Sequence, residues 1–346
     1  MIGISFYLND PKAEGRIAEA ANSGVKRAFT SLHIPEEAGD LAVRAKRLLH
    51  LAKENGIEVY ADVSYKTPVH LGVESLFDLK NLGVSGLRLD DFFEQEEILS
   101  LAQEFKLAVN ASILFEKDIQ SLLDSGLKSD QLLAWHNFYP RRETGLGEDF
   151  FRRQNELYAK FKIPVCAYVP GAGEKRGPLF EGLPTLEKHR NAEPFMAAME
   201  LLEEGVEDIY IGDPDPGGGL LDRLIKFDQE QVLTLRIESG FMKKGRYHLR
   251  PDLSRDVLRF MNTRTSEPVP PENTIARPAG TITMDNDRYG RYRGEIQITK
   301  MDLQADERVN VIGRVKSDQV PLLAYIKPGM AIELIMHGDG SSASFQ

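Results

Sequence analysis

The sequence has a single cysteine, Cys166, no apolar run long enough to span a bilayer, and no excess of basic charge. One cysteine cannot close an internal disulfide, which excludes a disulfide scaffold and agrees with a reducing compartment. A membrane-spanning helix needs about 18 or more uninterrupted apolar residues. No window of the 346 residues approaches that, so a soluble protein without a membrane partner is expected. The opening Met1-Ile2-Gly3-Ile4-Ser5-Phe6-Tyr7 shows neither the basic region nor the cleavage site of a secretory signal, so a cytoplasmic protein is expected. A net charge of −10 argues against nucleic acid, whose phosphates need a basic patch.

Several catalytic signatures are missing as well. Neither His33 nor His136 has a second ligand at HxH or HExxH spacing, so no metal is expected. Gly217-Gly218-Gly219 does not follow GxGxxG, and no dinucleotide or other cofactor is implied. There is no GxSxG elbow, and Cys166 lacks an evident base partner.

What is present is alternation. Short apolar runs at Ile2–Tyr7, Arg27–Thr30, Ile57–Asp62, Gly86–Asp90, Leu107–Ser112, Leu132–Asn137, Pro164–Val169 and Asp208–Gly212 are separated by amphipathic stretches such as Glu36–Asn55. Several of these stretches end in a glycine: Gly24, Gly56, Gly83, Gly126 and Gly205. Glycine just past a helix takes the left-handed conformation without a Cβ penalty. Repeated helix, glycine and strand units point to an α/β fold, a (β/α)8 barrel of roughly 250 residues, with an open doubly wound sheet as the alternative. Beyond about Leu220 the pattern turns to strands and turns, and a small, mostly β domain is expected over 231–346 after a barrel over 1–230.

Strand alternation separates helix-facing from inward residues. Leu87 and Leu89 share one face, leaving Arg88 and Asp90 inward. The same reasoning turns Ser5, Tyr7, Tyr60, Asp62, Asn110, Ser112, Cys166 and Tyr168 into the barrel. So polar an interior predicts a solvated cleft at the C-terminal ends of the strands, where barrel active sites lie. The carboxylates there are Asp62, Asp90, Asp91 and Asp213. Each has a bland reading as a helix cap or turn residue, strongest for Asp213 in Gly212-Asp213-Pro214. Inward Arg88 beside Asp90 favours a charged site instead. His136 and Asn137 close the sixth strand, and a lone histidine is more commonly a hydrogen-bonded structural residue than a ligand. Two stretches could hold an anion: the glycine-rich loop around Lys175 and Arg176, and the second-domain arginines Arg277, Arg291 and Arg293. The inward set on strands three to seven has no lysine, which counts against a Schiff base. Carboxylate chemistry on a polar substrate remains.

Gly86-Leu87-Arg88-Leu89-Asp90-Asp91, Trp135-His136-Asn137-Phe138-Tyr139-Pro140-Arg141, Lys175-Arg176-Gly177-Pro178, Ala276-Arg277-Pro278 and Arg291-Tyr292-Arg293-Gly294-Glu295 resemble the bacterial 6-phospho-N-acetylmuramidases. That resemblance implies a TIM barrel followed by a cyclophilin-like β domain. It also implies cytoplasmic hydrolysis of a phosphorylated amino-sugar disaccharide, MurNAc 6-phosphate linked β-1,4 to GlcNAc, in cell-wall recycling. On this footing Asp90 orients the substrate acetamide and Asp91 is the general acid/base, with Asp62 as the alternative acid or a hydroxyl ligand. Asn110, Asn137 and Tyr168 bind sugar hydroxyls, Ser5, Tyr7 and His136 complete the binding set, and Arg176, Arg277 and Arg293 compete for the phosphate or lactyl carboxylate. The residues alone leave open a sugar-phosphate isomerase or lyase, or a non-catalytic phosphosugar-binding protein. They are compatible with a homodimer.

Overall fold

Apolar runs with one helix-facing side and glycine-terminated helices between them give a strand, helix, strand repeat that can close on itself. The computed structural model describes residues 1–32, 41–90 and 93–336. Strands β1 (Ile2–Ser5), β2 (Arg27–Ser31), β3 (Glu58–Val63), β4 (Val84–Leu89), β5 (Lys106–Asn110), β6 (Leu132–Trp135), β7 (Val165–Val169) and β8 (Asp208–Ile211) pair in parallel in chain order. β8 pairs back onto β1, so the barrel is closed and the open sheet is excluded. The helices are α1 (Ala13–Asn22), α2 (Leu41–Glu54), α3 (Thr67–Leu71), α4 (Leu79–Leu82), α5 (Gln95–Leu101), α6 (Glu116–Asp124), α7 (Glu148–Lys160), α8 (Pro194–Glu203) and α9 (Leu220–Glu230). The glycines expected to terminate helices all adopt left-handed φ, from 69° at Gly56 to 109° at Gly126. None of the helices is long and apolar enough to cross a membrane, among the described residues.

The barrel interior differs from the solvated polar cleft expected from strand parity. Below the mouth it is filled by rings: Phe29, Tyr60, Trp135, Tyr168 and Tyr210 form one buried cluster with Ala108, Leu133 and Cys166. Trp135 is central, 4.3 Å from Tyr210, 5.5 Å from Tyr60 and 5.6 Å from Phe29 between ring centroids. Parity was right for Tyr60, Cys166 and Tyr168, but a tyrosine contributes mainly its ring to such a layer. Register makes the room. Gly86 is the β4 partner of Tyr60 and Gly3 is the β1 partner of Tyr210. A Cβ at either glycine would stand 2.4 Å from a ring carbon of its neighbour. Burial pushes the Tyr60 hydroxyl up to about 12 and the Cys166 thiol well above its ordinary value, so neither ionises at neutral pH.

The chain divides into two compact units between Ile225 and Lys226, within α9. The second unit is a mixed seven-stranded sheet. Its strands are β9 (Val232–Ser239), β10 (Gly245–His248), β11 (Val257–Arg259), β12 (Thr281–Asp285), β13 (Ile296–Thr299), β14 (Val309–Val315) and β15 (Ala331–Met336), in the order β10-β15-β9-β14-β12-β13-β11. Only the β9–β15 pairing is parallel.

Candidate active site at the barrel mouth

The register of β3 and β4 sets Asp62 beside Arg88 at the C-terminal end of the barrel. Arg88 Nη1 donates to Asp62 Oδ1 at 2.7 Å and to Asp90 Oδ1 at 3.1 Å. Its Nη2 donates to Asn137 Oδ1, which also accepts from Asn110 Nδ2 at 3.1 Å. Arg88 is only 3 % exposed, and such burial alone would lower its pKa. The carboxylates of Asp62 and Asp90 more than offset that, so the guanidinium is held charged. The two carboxylates differ in access: the Asp62 side chain is 8 % exposed and the Asp90 side chain 29 %. Asp91 lies outside the described residues, as does His33.

The loop after β7 closes another side of the mouth. Buried Asp213, at the end of β8, accepts the backbone N–H of Gly171 at 3.0 Å, Arg176 at 3.0 Å and Leu183 at 3.3 Å. Asp213 therefore ties the loop down. Its fixed course lays the Arg176 guanidinium over the Tyr7 ring, 3.9 Å from the centroid, with Phe138 at 5.9 Å. Further along, Glu187 accepts from both Arg190 and the N–H groups of Glu143 and Gly145. Chiefly through the Arg190 bond, its carboxyl is pulled down to about 2. Exposed Leu179 and Phe180, with Tyr65, Ile113 and Phe115, bring apolar side chains to loops that follow strand ends.

The other residues singled out from the sequence fall in different layers. Ser5, Tyr7 and Tyr168 are buried, and the Tyr7 hydroxyl donates to Gly212 O at 2.6 Å. Tyr168 packs edge-on against Phe29 and Phe138, and its hydroxyl has no partner among the described residues. Asn110 is buried and Asn137 half-buried. His136 does not line the mouth: β6 ends at Trp135, which points inward, so His136 faces the helices. There it stacks on Phe151 of α7 and bonds Asn155, and burial pushes its pKa down to about 4. Ser112 lies in the turn beyond β5, where strand parity no longer applies. In the second unit, Arg277 Nε donates to Gln304 O, and Arg293 pairs with Asp287 and donates to Ser266 O.

The sequence reading missed Gln154 and Asn155, which brace the wall from α7. Gln154 donates to Ala111 O at 2.9 Å and Leu114 O at 3.0 Å. The signal was there: both sit among the buried positions Phe151, Leu157 and Tyr158 of an amphipathic helix, where a polar side chain needs a partner. Among the described residues no three His, Cys, Asp or Glu side chains come together as a metal-holding group.

Models of the N-terminal and C-terminal domains of 6-phospho-N-acetylmuramidase match residues 2–226 and 225–335. No curated protein matches the chain. Among solved structures, a conserved Enterococcus faecalis protein of unknown function is 36% identical with a TM-score of 0.84, covering 98% of this chain and 97% of its own. An uncharacterized B. cereus protein is 26% identical with a TM-score of 0.74, covering 96% and 99%.

Proposed function

The chain belongs to the 6-phospho-N-acetylmuramidase family, a family of glycosidases, and on that premise we propose that it hydrolyses the β-1,4 bond between 6-phospho-N-acetylmuramic acid and N-acetylglucosamine, as a cytoplasmic step in recycling cell-wall sugars. The observation that carries this reading is the single guanidinium of Arg88 shared between Asp62 and Asp90 at adjacent strand ends. A 2-acetamido sugar can supply its own nucleophile. The acetamide oxygen attacks the anomeric carbon as the glycosidic C–O bond breaks, and the leaving oxygen takes a proton from a carboxylic acid. Water then adds at the anomeric carbon, returns a proton to that carboxylate and restores the acetamide, so one water is consumed overall.

In this scheme Asp90, the more accessible carboxylate, orients and polarises the acetamide N–H, and Arg88 fixes its position. Asp91 protonates the leaving oxygen, with Asp62 as the other candidate for that role. Asn137 donates to a sugar hydroxyl and Asn110 holds it in place. Arg176, kept flat against Tyr7, takes the 6-phosphate through its fork of donors, in competition with Arg277 and Arg293.

The test is the turnover of Asp90→Asn and Asp91→Asn enzymes on the phosphorylated disaccharide. Loss of a group that acts in the transition state costs about 10²–10⁴-fold in kcat, and near-normal kcat in both variants overturns the assignment. Inactivity of Asp62→Asn with an active Asp91→Asn moves the acid to Asp62.

A further inference from the structure

We propose that Ser112 and His136 are positioning residues that fix the amide of Asn137 for sugar binding, through a hydrogen-bond relay that starts at α7. The proposal rests on the hydrolase reading for what Asn137 does, but the relay itself is set by donors and acceptors.

Asn155 Nδ2 donates to Glu204 O at 2.8 Å, so Asn155 Oδ1 is an acceptor. It stands 2.9 Å from His136 Nε2, which therefore carries the proton. His136 Nδ1 is then an acceptor and takes the Ser112 hydroxyl proton at 3.3 Å. With that proton committed, Ser112 Oγ accepts the backbone N–H of Asn137 at 3.0 Å. The same serine works from its backbone too: its N–H donates to Asn110 Oδ1 at 3.0 Å, which turns Asn110 Nδ2 toward Asn137 Oδ1.

Asn137 Oδ1 thus faces two donors, Asn110 and Arg88, and this orientation leaves Nδ2 as the half that can donate to a ligand. Thr185 Oγ1 steadies the same residue by donating to Asn137 O at 2.9 Å. Each link has one direction. With Nε2 already protonated, a second proton on His136 Nδ1 would make the ring an imidazolium, and the burial of the ring disfavours that charge.

Two measurements test the relay in the full chain. In ¹⁵N NMR of the wild-type imidazoles, His136 is expected as the neutral Nε2–H tautomer from about pH 5.5 to 8. An Nδ1–H tautomer or an imidazolium in that range overturns the proposal. In kinetics on the phosphorylated disaccharide, Ser112→Ala is expected to lower kcat about tenfold through misplacement of the amide, and Ser112→Thr to restore it. Because Ser112 acts through Asn137, the double variant Ser112→Ala/Asn137→Ala should be no slower than Asn137→Ala. Additive losses overturn the proposal, as does a Ser112→Ala enzyme that loses only thermal stability. A wild-type chain that does not turn the disaccharide over contradicts the hydrolase reading instead, and the tautomer then decides the relay alone.

Discussion

Arg88 at the barrel mouth and Asp285 in the second sheet are equally hidden, each 3 % exposed, yet they meet different surroundings. Arg88 donates to Asp62, Asp90 and Asn137. Asp285 has the carboxylates of Glu295 and Asp306 nearby instead, and the neighbouring Thr283 hydroxyl on the same face of β12 makes no hydrogen bond among the described residues. Burial first, then the nearby charges of Glu295 and Asp306, push the Asp285 carboxyl up to about 7, against the pull of Arg277 and Arg264. Glu295 keeps company of its own: Arg264 donates to it at 2.7 and 2.5 Å. The lesson is that burial penalises every charge, and the partner decides whether a group stays ionised. The barrel mouth keeps charges for use, while the second sheet drives one toward neutrality.

Breaking a pair at the mouth should give the largest effect. Asp62→Ala leaves the Arg88 guanidinium buried with its nearer carboxylate gone, and about 3–5 kcal/mol of stability should be lost. The fluorescence of the only tryptophan, Trp135 in the barrel core, reports that unfolding directly. A loss near zero would remove the distinction between the two regions.

The pH dependence sharpens it. Asp285 holds its proton to about pH 7 when folded but releases it near 3.8 when unfolded, so the folded state binds more protons between those values. Its contribution to stability is full below about pH 4 and is lost as pH rises through 7. His136 runs the opposite way. Folded, it takes a proton only near pH 4, against 6.5 unfolded, so its contribution is present above 6.5 and lost as pH falls toward 4. Asp285→Asn should therefore stabilise the protein by about 1–3 kcal/mol at pH 8 and leave it unchanged near pH 4, as read by calorimetry. The Trp135 signal should weaken against denaturant between pH 6.5 and 4 in the wild type, and less so in His136→Gln. Identical pH profiles for the two variants would break the contrast.

A smaller effect separates the two regions as phosphate binders. Arg176→Ala should raise KM about tenfold, the worth of a charge-assisted contact of roughly 1.4 kcal/mol, for the phosphorylated substrate only. A rise of that size in Arg277→Ala or Arg293→Ala, with none in Arg176→Ala, transfers the phosphate to the second domain.

Much of the barrel was legible because its strands are apolar runs closed off by turn glycines. The short strands β10, Gly-Arg-Tyr-His, and β11, Val-Leu-Arg, were not, since neither carries an apolar run and their residues are mostly half-exposed. At the site, the Asp62–Arg88 pair followed from alternation within β3 and β4, and Asp90, one residue past β4, still continues it. The same rule applied past the last strand residue failed at Ser112, where the chain has already turned. The aromatic core escaped notice because side-chain polarity was read from the tyrosine hydroxyl rather than the ring. Gly3 and Gly86, whose missing Cβ atoms admit those rings, were the clue in the sequence.

The proposed reaction is cleavage of a phosphorylated amino-sugar disaccharide by the carboxylates at the barrel mouth. Mass spectrometry of the products after incubation with phosphorylated and unphosphorylated MurNAc-GlcNAc tests it most directly. The account predicts free MurNAc 6-phosphate and GlcNAc from the first, with little or no cleavage of the second. Intact phosphorylated disaccharide, bound but unchanged, or conversion of a monosaccharide phosphate instead, would contradict it.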